Sequence, residues 1–145
     1  MFGEFWTEGD GLSPDAPKEV ALADDDARTI YTICCVIHHR LDLLPQTLSP
    51  QDILQIAIVA DKYDLLIALT HAKAQWLKSD RTDETDIAYL MAAAFVFDDA
   101  DAFNEQSQAL MLHYAGSYMK FLEDDTISGI STAQLVCKWN TILQA

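Results

Sequence analysis

Ser49-Pro50-Gln51-Asp52, followed by Ile53, Leu54, Ile56, Ala57, Ile58 and Ala60, constrains the fold more than any other segment. A serine hydroxyl can accept from the free N–H groups of a first helical turn, and proline's fixed φ suits the first helical position. Asp52 stands where a capping box places its acid. The residues that follow are apolar on nearly every side, which predicts a central, buried helix. It ends at Asp61-Lys62-Tyr63-Asp64, after which an apolar stripe resumes with Leu65, Leu66, Ala68, Leu69, Ala72 and Trp76. The pattern predicts a tight helical hairpin, with Asp64 capping the second arm and Tyr63 packing its ring between the arms.

Other helices surround this one. Asp24-Asp25-Asp26 reads as an N-cap with first-turn carboxylates favoured by the helix dipole. Ile30, Ile33, Cys34 and Ile37 recur at i, i+3, i+4 and i+7, predicting the buried face of a helix that runs to about His39-Arg40. Three further helices are predicted over about residues 84–97, 99–114 and 132–144, the last capped by Ser131, with a loop at 124–129. Lys18-Glu19-Val20-Ala21-Leu22 alternates polar and apolar and reads as one short strand. Phe2, Phe5 and Trp6 are expected to pack against the body. The fold class is mainly α. At 145 residues, half of them hydrophobic, the chain is long enough to bury roughly 70% of its unfolded surface.

Charge and cysteine usage narrow the function. Lys+Arg 9 against Asp+Glu 23 leaves a net charge of −14. Such a surface repels phosphate, which argues against nucleic-acid and anionic-membrane partners. Cys34, Cys35 and Cys137 have no C-x-x-C or Cys/His spacing, so three reduced core thiols are expected rather than a zinc site or a disulfide framework. The first residues lack a basic n-region and an apolar h-region. The mostly apolar run 87–97 is too short to span a bilayer. The expectation is an intracellular protein, cytoplasmic or nuclear, and not secreted.

No constellation points to catalysis. Adjacent His38 and His39 project about 100° apart on a helix and do not readily share one ion, and His71 and His113 stand apart in sequence. A calcium loop starting at Asp99 needs Gly at its sixth position and Glu at its twelfth, where this chain has Asn104 and Leu110. Asp61, Lys62, Tyr63 and Asp64 have no accompanying nucleophile or Gly-rich loop, so their role is read as structural. The Cys34-Cys35 pair lacks a neighbouring base. Tyr89, Met91, Phe95, Met111 and Tyr114 could line a small-molecule pocket, but a Met/aromatic stripe at helical spacing is more often core. The expectation is a chain that is not an enzyme, with no catalytic, cofactor or metal residue.

Several segments together resemble a BTB/POZ domain of the fungal type. They are Met1-Phe2-Gly3 with Phe5 and Glu8-Gly9, Glu19-Val20-Ala21-Leu22 before Asp24-Asp25-Asp26, and Ile37-His38-His39-Arg40. The most specific runs from Leu48-Ser49-Pro50 to Ala60-Asp61-Lys62-Tyr63-Asp64. Ala94-Phe95-Val96-Phe97-Asp98 with Phe103 resembles the helical extension that follows the domain in those proteins. The resemblance implies a partial, N-terminally truncated BTB/POZ domain over 1–79 and a C-terminal helical extension over 80–145. It lacks the domain's first two strands and first helix. It also implies a non-enzymatic protein–protein interaction module, acting as a scaffold or ubiquitin-ligase adaptor through self-association or a cullin scaffold. The cullin-facing loop of such domains carries a hydrophobic-X-Glu motif. Here Leu41-Asp42-Leu43-Leu44 follows Arg40 without the Glu, so Leu41, Leu43 and Leu44 are either anchors under the hairpin or a docking patch. A truncated, conditionally folded or non-functional remnant is the alternative, because an open strand edge invites pairing or aggregation.

Overall fold

A computed structural model describes residues 22, 24–78, 81–114, 116, 119–128 and 130. The expected strand apart from Leu22, the aromatics Phe2, Phe5 and Trp6, the helix at 132–144 with its Ser131 cap, and Cys137 all lie outside the described residues. Leu22 itself is exposed and outside any regular element.

The described chain is mainly helical, with no strand among these residues. Its helices are α1 (Ala27–Ile37), α2 (Pro50–Lys62), α3 (Thr70–Trp76), α4 (Glu84–Val96), α5 (Ala100–His113), α6 (Met119–Leu122) and α7 (Asp125–Ser128). Two 3₁₀ turns, Leu41–Leu43 and Ile67–Leu69, interrupt the connections. None of the described helices is long and apolar enough to cross a membrane.

The four longest helices start the same way. Asp26 accepts from the Thr29 N–H at 2.8 Å, Ser49 from Asp52 at 3.1 Å, Asp83 from Thr85 and Asp86, and Asp99 from Ala102. Each such cap stabilises its helix by about 1 kcal/mol. The Asp52 carboxylate lies 3.8 Å from Arg28, so the Ser49 half of the expected capping box is what forms. Asp24 and Asp25 precede the cap, leaving no acid in the first turn of α1.

Three helices also end the same way. At the end of α1, Arg40 N–H reaches Cys35 C=O at 2.7 Å and His39 N–H reaches Val36 C=O. Leu65 and Asp64 repeat this pair of bonds at the end of α2, and Asp99 and Asp98 at the end of α4. This is the Schellman arrangement, which requires a left-handed residue just past the helix. His39 (φ 57°), Asp64 (φ 56°) and Asp98 (φ 50°) fill that position. Asp64 therefore terminates α2 and does not cap the next arm. That arm opens with the 3₁₀ turn Ile67–Leu69, which packs against α1 and has no side-chain cap.

The centre of the molecule is α4, whose residues from Ile87 to Ala94 are buried on every side. Its main neighbours are α2 and α5, and α1 packs on the far side of α2. Ala57 and Ala60 on α2 and Ala92, Ala93 and Ala94 on α4 are fully buried, and small side chains let helices approach closely. Larger residues fill the remaining space: Ile33, Leu54, Ile56, Leu69, Ile87, Leu90, Met91 and Leu110 join one continuous cluster. Burying each contributes about 1.5–3 kcal/mol relative to leaving it exposed. The core draws on residues from both sides of the expected 79/80 division.

The buried face of α1 differs from the expected one. Thr29, Thr32, Ile33 and Val36 face inward with Cys35, while Cys34 and Ile37 are exposed. Threonine can be buried here because its hydroxyl finds a local acceptor. Thr29 donates to Asp26 and Thr32 to the Arg28 carbonyl. Cys34 is accordingly not a core thiol. The expected loop at 124–129 contains α7, capped by Asp124, whose carboxylate accepts from Thr126 and Ile127.

Candidate interaction surface

Leu41, Leu43 and Leu44 occupy the 3₁₀ turn that follows α1. The left-handed His39 reverses the chain after the helix, and Leu43 N–H to Arg40 C=O and Leu44 N–H to Leu41 C=O close the turn. Arg40 clamps it from outside: its Nε and Nη2 donate to the two carboxylate oxygens of Asp42 at 2.9 and 3.0 Å. That pairing holds Asp42 below the usual carboxylate range and Arg40 above its own. The turn thus presents Leu41 at 60% and Leu43 at 47% exposure, while Leu44 packs against the core. The three leucines part in this way because an i to i+3 turn spreads successive side chains around its axis.

Tyr31, 51% exposed, stands beside this turn on α1. Its hydroxyl lies by the Cys35 side chain, which raises the phenol above its ordinary value, with Arg40 and Asp42 also within electrostatic reach. Ile67, at 88% exposure, projects from the 3₁₀ turn that packs on α1. Sequence reading passed over both. Tyr31 falls just off the predicted apolar face, and Ile67 sits within a stripe read as continuous α-helix.

A separate hydrogen-bonded corner, Asp61–Asp64, lies against the start of α1, at the other end of the helix from the leucine turn. Tyr63 is half-buried against the core and its hydroxyl donates to Asp25, across 38 residues of sequence. Lys62 Nζ donates to the same carboxylate at 2.9 and 3.1 Å and lies 5.3 Å from the Tyr63 ring centroid. Tyr63, then Lys62, hold Asp25 below the usual carboxylate range; in return Asp25 raises both of theirs. Asp61 and Asp64 are exposed. The corner thus ties the start of α1 to the end of α2, and Ser49 and Pro50 fix the other end of α2 through its cap and first turn.

The remaining candidates do not gather into a site. Among the described residues, no three His, Cys, Asp or Glu side chains converge as a metal would require. Met91 is in the core, whereas Met111 is on the surface. Phe95 pairs with Phe103, and Tyr114 with Phe121. Tyr89 donates to Asp124 at 2.7 Å, a bond that, with burial, pushes its phenol up to about 12. Tyr89, Met91, Phe95 and Tyr114 thus belong to or pack against the core cluster, and Met111 is exposed.

What the arrangement offers chemically is a group of exposed apolar side chains, Leu41, Leu43 and Tyr31, on a hydrogen-bonded turn and the helix before it. No family model matches the chain, and neither a curated protein nor a solved structure is detectably similar to it.

Proposed function

We propose that this chain is a non-enzymatic protein–protein interaction module whose contact surface is built from Leu41, Leu43 and Tyr31. The observation that carries the reading is the exposure of two leucines on a turn closed by two backbone hydrogen bonds and the Arg40–Asp42 ion pair. A pre-shaped apolar projection loses little conformational entropy on binding, and clustered exposed apolar side chains mark contact sites. The resemblance to a truncated BTB/POZ domain supports the same reading. On that resemblance the chain acts as a scaffold or ubiquitin-ligase adaptor, with a cullin as one partner.

The test is titration of the purified chain with a purified cullin N-terminal domain, alongside the Leu41→Asp/Leu43→Asp variant. Binding that the double variant abolishes supports the adaptor role. Absence of binding removes the cullin and leaves the broader module reading to be tested by crosslinking at Tyr31, Leu41 and Leu43.

A further inference from the structure

We infer that the exposed end of α5, at Met111 and Leu112, is the docking site of this chain's own segment 132–144, laid antiparallel along α5 as a helix. The inference is independent of the interaction surface at the leucine turn.

Two apolar faces lack a partner. On α5, Asp101, Glu105, Gln108 and Leu112 are exposed at i, i+4, i+7 and i+11 and so form one outward line. Leu112 at its end is 83% exposed, with Met111 exposed beside it. In the segment, Leu135, Val136, Trp139, Ile142 and Leu143 recur at i, i+1, i+4, i+7 and i+8, the pattern of a helix with one apolar face. A helix this short is marginal in water and draws its stability from burying that face.

The place where the chain leaves the described residues selects the site. Phe121 packs on Tyr114 with ring centroids 5.0 Å apart, Lys120 lies 3.0 Å from Glu84, and Asp124 accepts from Tyr89. These contacts set α6 and α7 in the corner between the end of α5 and the start of α4, and Ile130, just beyond α7, is buried. A helix that begins at residue 132 therefore starts near Met111 and Leu112, and its length of about 20 Å matches that of α5. Running back along α5 sets the two helix dipoles in opposition, which is favourable. Leu41, Leu43 and Ile67, the other strongly exposed apolar residues, adjoin α1 on the far side of α2.

Charge fits the same pairing. From Thr126 to Ala145 the sequence has no Asp or Glu, and Lys138 is its one charged side chain. Asp101 and Glu105 are exposed and take part in no ion pair among the described residues. In a chain of net charge −14, a segment free of carboxylates covers an acidic helix face without repulsion. With Leu135 over Leu112, the equal rise of the two helices brings Lys138 within about one turn of Glu105.

The test is crosslinking in the full chain with Cys34→Ser and Cys137→Ser. Leu135→Cys is combined either with Leu112→Cys or with Ile67→Cys, and mild oxidation is followed by mass spectrometry. The expected result is a disulfide within one chain between positions 112 and 135, formed about tenfold faster or more than that between 67 and 135. Circular dichroism confirms the fold of each variant. In thermal melts, Leu112→Asp and Trp139→Asp each lower the melting temperature by about 3 °C or more. The double variant falls short of their sum, because both changes remove one contact. Three results overturn the docking: equal rates at 112 and 67, crosslinks between chains in place of those within one, or a melting temperature indifferent to Leu112→Asp.

Discussion

The hydroxyl of Tyr63 and the carboxylate of Asp25 join the two ends of the α1–α2 pair, with Lys62 completing the contact from the solvent side. Asp25 is held below its ordinary value of 3.8. Its contribution to stability is therefore fully present above that value and is lost as pH falls through the lower folded one. The same sign applies to Asp26, Asp42 and Asp124, all of them lowered. The acid limb of a stability–pH curve is expected to fall below about pH 4, and Asp25→Asn should flatten it. Tyr63→Phe keeps the ring and removes the bond, lowering the melting temperature by a few degrees at neutral pH. Thermal denaturation followed by circular dichroism between pH 2 and 7 is the measurement.

The left-handed positions give a stabilising prediction. A non-glycine residue there costs about 1–2 kcal/mol, against about 0.4–1 kcal/mol for the extra unfolded-state freedom of glycine. His39→Gly and Asp64→Gly should each raise stability by about 0.5–1 kcal/mol in urea titration. His39→Val should lower it, because a β-branched side chain tolerates positive φ worst.

Gln106 is buried on α5 and donates from Nε2 to the Leu77 carbonyl at 3.1 Å, while its Oε1 has no hydrogen-bond partner among the described residues. Gln106→Glu is expected to cost about 3–5 kcal/mol at neutral pH, since it buries a charge with no counterion. The loss should shrink as the solution is acidified towards protonation of the new carboxyl. Denaturant melts at pH 7 and pH 5 would show both effects.

Leu41 and Leu43 separate contact from stability. Leu41→Asp/Leu43→Asp should leave stability within about 0.5 kcal/mol, as exposed substitutions do. Leu54→Ala, in the fully buried centre of α2, should cost about 2–5 kcal/mol. A double leucine variant that melts early would show that the turn is part of the core.

Helix starts were the most legible feature, because a cap is local chemistry: Ser49 and Asp26 do in the fold what their sequence context implies. Faces and ends were less so. Thr29 and Thr32 count as polar in any periodicity, yet their hydroxyls are satisfied within two turns of their own helix, and this rotates the buried face of α1 away from Cys34 and Ile37. Asp64 has the side chain of a helix start, but its backbone closes a helix end. Which role it takes depends on the packing of Leu65 after the turn. The proposed contact surface was half visible. The leucines stood out in sequence, but only the geometry of the turn decides which of them point outward.

Lys73, reaching from α3, donates to the Phe97 carbonyl and lies 3.3 Å from Asp99, so it grips the end of one helix and the start of the next. The link between α4 and α5 is only three residues long, whereas α2 and α4 meet across a longer stretch of chain. Closing a short loop sacrifices little entropy and is fast, so the α4–α5 pair is the natural nucleus on which α2 and then α1 condense. Core truncations at Phe103 or Leu110 should therefore slow refolding, while truncation at Ile33 should mainly speed unfolding. This order leaves the apolar face that α2 shares with α1 as the last to be hidden. Synthesis runs the other way, making α1 and α2 before α4 and α5 exist, so on a nascent chain the apolar faces of α1 and α2 stay open and are where a chaperone would bind.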